Sequence, residues 1–233
     1  MNAAINKIYS RRLYNLKIMA KALQLAPFIR CIILNGSMAE GKIKKSSDID
    51  LLIIAKRGRI FTCRAAVLFW AHISGLKRST DNTRSHVGRF CFNYFLTDNF
   101  LMIPHNREEK MNKYCAENYS KSRLIWGDNN IFSNYMNINA KWMKKHLPSL
   151  HHPALDAGST NRLRSISRFP IKSGMTAFAV FFEKILSGRF GNWVERVLKN
   201  IQVKKINRDP RTKKYPELIV TNNKELRFHP PKN

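Results

Sequence analysis

Asp48 and Asp50 are the residues of this chain whose type and spacing point most directly to chemistry. They stand one residue apart in NGSMAEGKIKKSSDIDLLIIA, which runs from Asn35 to Ala55. On a strand, alternate side chains share a face, so the two carboxylates converge while Ile49 and Leu51 turn to the other side. Converging carboxylates repel and are costly to bury unpaired, so a satisfying cation is expected. Mg²⁺ is the natural candidate, because it is a hard ion usually held by one or two carboxylates together with substrate phosphates. The stretch before the aspartates can supply the phosphate side. Gly36 permits close backbone approach, Ser37 offers a hydroxyl and an N–H, and Lys42, Lys44 and Lys45 add positive charge. The same residues also read as a strand edge with two solvated aspartates beside a polar hairpin. What favours a site is the joint pattern of an apolar strand, Gly-Ser, ten residues, and Asp-apolar-Asp opening a second apolar strand.

Several elements must hold that pattern in place. Residues 3 to 25 carry Ile5, Ile8, Leu13, Leu16, Met19 and Leu23 near helical spacing, with Lys7, Arg11, Lys17 and Lys21 between them, and predict an amphipathic helix that ends before Pro27. PFIRCIILNG and DIDLLIIA predict two strands joined by a loop. Residues 59 to 75 are apolar almost all round and close on Gly75, which predicts a buried helix covering one sheet face. LKRSTDNTRS reads as a polar loop and HVGRFCFNYFLTD as a long aromatic-rich strand. From Arg107 to about His146 the pattern is helical, interrupted at Gly127-Asp128-Asn129-Asn130, so two helices are expected there. PSLHHPALDAGSTNRLRSISRFPIKSG reads as an irregular connection. Another helical pattern runs from Thr176 to about Ile206, with a break at Gly188 to Gly191, and a basic tail ends in LRFHPPKN.

Composition narrows the class. At 233 residues and 44% hydrophobic, the chain can fill a real core. No apolar run approaches the roughly 20 residues of a bilayer span, so no membrane segment is expected. MNAAINKIYSRR lacks the apolar core of a secretory signal, which predicts a cytoplasmic protein. Cys31, Cys63, Cys91 and Cys115 form no CxxC pair and are expected as reduced, partly buried thiols. The net charge of +27 is divided almost evenly, +13 in residues 1–140 and +14 in residues 141–233, so no single basic tail accounts for it. Such a spread fits an enzyme of RNA or nucleotides, and it fits a solvated basic surface almost as well.

Gly-Ser, ten residues and then SDIDLLII resembles the signature of the polymerase-beta-like nucleotidyltransferase superfamily, and the similarity covers roughly residues 28 to 97. The order of the later elements and the closing FHP near His229 also resemble bacterial proteins that carry this domain. The resemblance implies an α/β (α+β) fold with a mixed sheet and flanking helices, in a catalytic domain over residues 1–105 followed by a mainly helical region over 106–233. It implies transfer of a nucleoside monophosphate from an NTP, ATP among them, to a hydroxyl acceptor, with Mg²⁺ and release of pyrophosphate. Asp48 and Asp50 become the metal ligands and catalytic pair, Gly36 and Ser37 the phosphate turn, and Lys42 a neutraliser of developing charge. RNA or a protein is a possible acceptor. The alternative is a catalytically degenerate protein of the same fold that binds nucleotide or RNA without chemistry.

One departure motivates that alternative. The family usually places a third carboxylate on a later strand, and RFCFNYFLTD has no acid inside it. Strict alternation puts Asn93 on one face with Cys91 and Phe95 and makes it the expected occupant of the third position, with Asp98 next in line if the strand is shorter. Asn93 could coordinate through its carbonyl oxygen but could not accept a proton as a base. Elsewhere, the adjacent His151 and His152 lack the i, i+4 spacing of helical metal ligands. Trp126, Trp142 and Trp193 lie in apolar periodic segments and are expected in the core rather than as base-stacking platforms. Arg162, Arg164 and Arg168 read equally as a phosphate contact or as a solvated run.

Overall fold

The computed structural model describes residues 3–43, 47–76, 88–104, 109–147 and 175–228. Lys44, Lys45, His151, His152, Arg162, Arg164, Arg168 and His229 lie outside the described residues.

Helix α1 (Ala3–Leu23) buries Tyr9, Arg12, Leu16, Met19, Ala20 and Leu23, a stripe at three- and four-residue spacing. Strand β1 (Ile29–Asn35) runs straight into a single helical turn, α2 (Gly36–Glu40), which forms the first part of the connection expected as a loop between the first two strands. Strand β2 (Ile49–Ala55) follows, then α3 (Ile60–Ile73), which ends just before Gly75 at φ +67°, and β3 (Phe90–Thr97). Strands β2 and β3 are parallel, with α3 as the crossover. The chain continues through α4 (Glu109–Tyr119), β4 (Arg123–Gly127), α5 (Asn129–His146), α6 (Ala177–Ile185), α7 (Arg189–Arg208), α8 (Pro210–Lys214), a 3₁₀ turn (Pro216–Leu218), β5 (Ile219–Thr221) and β6 (Glu225–Phe228).

The six strands form one mixed sheet in the order β4-β1-β2-β3-β6-β5. Strands β4, β5 and β6 come from beyond residue 105, so the sheet spans both parts of the chain. Strand β4 occupies residues expected as the end of a helix running up to the break at Gly127. Its five residues, RLIWG, are too few to show alternation, and it forms because it pairs antiparallel with β1. Gly127 closes that pairing at φ +122°, where a Cβ would stand 2.1 Å from the Arg30 carbonyl oxygen. At the other edge, the Tyr94 hydroxyl donates to Glu225 Oε1 at 2.9 Å and ties the terminal hairpin to β3.

Both sheet faces are covered, which is why β1 and β2 read as continuous apolar runs rather than alternating ones. Ile49, Leu51 and Ile53 pack with Leu16, Leu23, Phe61, Val67 and Phe95 on the α1/α3 side. Leu52, Ile54, Tyr94 and Leu96 pack with Ala116, Tyr135 and Met143 on the α4/α5 side. Two buried or half-buried carboxylates fasten the C-terminal helices to this frame. Glu183 of α6 accepts from the Phe28 backbone N–H at 2.6 Å and from both terminal nitrogens of Arg30 at 3.0 and 3.1 Å. Glu195 of α7 accepts from the Phe61 and Thr62 backbone N–H groups at 2.9 and 2.8 Å, capping the start of α3. Among the described residues, no helix is long and apolar enough to cross a membrane.

Candidate active site

Asp50 is the second residue of β2 and Asp48 immediately precedes the strand. Both are half-buried, at the end of the sheet where the apolar cover on the α4/α5 side stops. Ile49 and Leu51 are buried on the opposite face, as the alternation predicts. One ligand atom each from Asp48, Asp50 and Cys91 lie within 4.8 Å of one another, a grouping that could hold a metal ion.

The third member corrects the expectation for β3. Asp50 registers with Cys91 and Leu52 with Tyr94, so β3 uses one residue more than β2 over that interval. The extra residue is a bulge at Phe92-Asn93, and it breaks the alternation on which the placing of Asn93 beside Cys91 rested. Phe90 and Phe92 face the α1/α3 core, as does Phe95, three residues after Phe92. Cys91, not Asn93, therefore stands beside Asp50. Asp98 lies past the far end of β3, where its Oδ1 accepts from the Arg57 backbone N–H at 2.9 Å, so it belongs to a different region.

Gly36 is held against the pair. Its φ is +70°, and a Cβ there would lie 2.8 Å from Asp50 Oδ2, so a side chain at this turn would push the second carboxylate aside. Asn35, opposite Asp50 in the β1–β2 register, is fixed by Ser122 Oγ, which donates to its Oδ1 at 2.5 Å. Ser37 is half-buried, and its carbonyl accepts from the Lys42 N–H at 2.9 Å, closing α2. The Lys42 side chain is 77% exposed, with Nζ 3.2 Å from Glu40 Oε1; Lys121 pairs with the same carboxylate oxygen. Partial burial pushes the Glu40 carboxyl up, but the hydrogen bonds and charge of Lys121 and Lys42 outweigh it and hold the group below its ordinary pKa.

A residue absent from the sequence reading completes the surroundings. Arg12 of α1 is buried, at 3% exposure, and its Nε lies 3.5 Å from where a Cβ on Gly88 would stand. Burial lowers the guanidinium pKa from its ordinary value, and the Asp48 carboxylate opposes that shift. The charge of the first aspartate is thus felt by a cation on the helix that covers the sheet. The signal was available, since Arg12 falls on the buried stripe between Tyr9 and Leu16 while Arg11 falls outside it.

The metal-ligating chemistry here is mixed. Two carboxylates satisfy a hard divalent ion, leaving the remaining positions of its shell to water and phosphate oxygens. The thiol of Cys91 is soft and is a poorer partner for such an ion than a third carboxylate.

Residues 17–94 match the family described as Polymerase beta, Nucleotidyltransferase. The match covers about a third of the chain and runs from the middle of α1 to β3, so it includes Gly36, Ser37, Asp48, Asp50 and Cys91 but begins after Arg12. The match supports a nucleotidyltransferase domain of the polymerase-beta-like superfamily over this stretch, and the six-stranded mixed sheet with its flanking helices is consistent with that fold. No curated protein and no solved structure matches the chain.

Proposed function

We propose that the protein transfers a nucleoside monophosphate from an NTP to a hydroxyl acceptor. The acceptor oxygen bonds to the α-phosphorus, the bond from that phosphorus to the β-bridging oxygen breaks, and pyrophosphate and the hydroxyl proton are released. The observation that carries the reading is the fit of Gly36 against Asp50 beside Asp48, inside the stretch that matches the nucleotidyltransferase family. Asp48 and Asp50 are the residues that would hold Mg²⁺, which when bound would neutralise charge on the triphosphate. Gly36 and Ser37 would receive the outer phosphates through the backbone and the Ser37 hydroxyl. Lys42, on the loop after α2, can swing on its exposed stem toward a bound triphosphate. Arg12 would act as a positioning residue, offsetting the repulsion between the two carboxylates. With no third carboxylate in the grouping, the rate rests on positioning and electrostatics.

A second reading is favoured by Cys91 itself. A chain that binds nucleotide without turning it over has no use for a third carboxylate, and a thiol stands in its place. Nucleotide affinity with and without Mg²⁺ separates the two. The transferase reading expects ATP or another NTP to bind at least tenfold more tightly with Mg²⁺, and Asp48→Asn to remove that difference. Equal affinity in both conditions would favour the degenerate binder.

A further inference from the structure

A second charged region lies at the opposite end of the sheet. β2 is seven residues long, which separates its two ends by roughly 20 Å at about 3.3 Å per residue. Beyond Ala55 opens a cleft of about 660 Å³ whose lining includes Lys56, Arg57, Arg59, Arg196, Lys199 and Lys224. The carboxylate in its lining, Glu195, is turned to the N–H groups of Phe61 and Thr62 and to the Thr62 hydroxyl. Asp98, close by, is likewise engaged by the Arg57 N–H. Arg59 is committed to the fold through the carbonyls of Leu186 and Ser187. Lys56, Arg57, Arg196, Lys199 and Lys224 remain to give the cleft its positive field.

Helix α7 joins this cleft to an aromatic surface. Arg196 and Lys199 face the cleft, and at about 100° per residue Trp193 lies about 60° from Arg196 around the helix, on the side away from Lys199, so a strand joining the rings to the cleft must cross the helix over Arg196. Trp193 is 54% exposed and Phe190 57%, with their rings stacked 6.0 Å apart. This corrects the expectation that Trp193 would be core. Trp126 and Trp142 are buried, but Trp193 occupies the outer face of α7 and offers a flat ring to solvent. Phosphate-sized positive charge beside exposed, stackable rings is the combination that holds single-stranded nucleic acid, in which the backbone follows the cations and the bases stack on the rings.

We infer that α7 and the cleft beneath it form a binding track for single-stranded RNA, with bases on Phe190 and Trp193 and phosphates at Arg196, Lys199 and Arg57. The track is separate from the aspartate pair and requires neither nucleotide nor metal, so its test stands apart from that of the transfer reaction. The full chain, without Mg²⁺ or NTP, is titrated into a fluorescein-labelled 20-nucleotide oligouridylate and followed by anisotropy at several salt concentrations.

The Arg196→Glu/Lys199→Glu variant should flatten the slope of log affinity against log salt by about 1.4, at about 0.7 for each single-strand phosphate that is no longer neutralised. Trp193→Ala should weaken binding about 5- to 150-fold, and Trp193→Phe should restore most of it by returning a ring. The control Lys141→Glu/Lys144→Glu makes the same charge change on exposed positions of α5, on the other side of the sheet. An equal loss in this control would reduce the interaction to net charge and overturn the track. So would unchanged affinity in Trp193→Ala, or self-association of the protein through the aromatic face in place of RNA binding.

Discussion

Gly36→Ala separates backbone strain from damage to the site. An alanine at φ +70° costs roughly 1–2 kcal/mol for the left-handed conformation. Its methyl would also meet Asp50 Oδ2 at 2.8 Å, against about 3.4 Å for ordinary contact, so the carboxylate oxygen must retreat by about 0.6 Å. That oxygen ends a short side chain and can move at little cost in stability, but it is the atom proposed to hold the metal. Since a misplacement of about 1 Å can cost about 100-fold in rate, Gly36→Ala should lower nucleotidyl transfer by roughly 10- to 50-fold. Gly75→Ala is the matched control, because Gly75 has φ +67° and no atom within 4 Å of its missing Cβ. Urea unfolding should show similar destabilisation of roughly 1–2 kcal/mol in both variants, while label transfer from an α-labelled NTP falls only in Gly36→Ala. Wild-type transfer by a Gly36→Ala protein destabilised to that extent would refute the coupling of the turn to Asp50.

Other perturbations probe the remaining groups. Arg12→Ala removes a buried guanidinium that feels the Asp48 charge and should destabilise the protein by roughly 1–3 kcal/mol. Millimolar Mg²⁺ should then raise the Tm of Arg12→Ala more than that of the wild type, and equal shifts would contradict the role given to Arg12. Cys91→Asp should raise Mg²⁺-dependent transfer about tenfold or more by supplying a third carboxylate beside Asp50, and a slower variant that remains folded would count against the placement. Burial pushes the Cys31 thiol up to about 12, whereas the unfolded chain ionises it near pH 9. The native state therefore holds its proton longer, so the stabilisation is complete below about pH 8 and is lost as pH rises toward 12, at about 1.4 kcal/mol per pH unit. Urea midpoints between pH 8 and 11 should fall less steeply in Cys31→Ala, and identical slopes would be the contrary result.

The sequence is most readable where a segment is long and its environment uniform. α1, α3, β1, β2 and β3 follow from periodicity and from continuous apolar runs, and Asp48 and Asp50 from simple alternation over three residues. What escaped depends on pairing partners far along the chain. β4 is a five-residue strand made by β1, and the β5–β6 hairpin is held by β3 and Tyr94. The identity of the third residue in the grouping turned on one bulge at Phe92-Asn93, which no local pattern announces and which shifts every later side chain of β3 to the other face. Arg12 was visible on the buried stripe of α1, but the aspartate whose charge reaches it is 36 residues away. Trp193 misled because the same apolar periodicity that buries one side of α7 also leaves large rings on the other.

The most direct test of the proposed activity is incubation of the purified chain with each α-labelled NTP and Mg²⁺. Pyrophosphate release and label transfer to RNA, to the protein itself and to small hydroxyl compounds are then followed beside Asp48→Asn and Asp50→Asn. The account predicts transfer by the wild type and a reduction of at least a thousandfold in both variants, with the fold retained by circular dichroism. Transfer at near wild-type rate in either folded variant would contradict it.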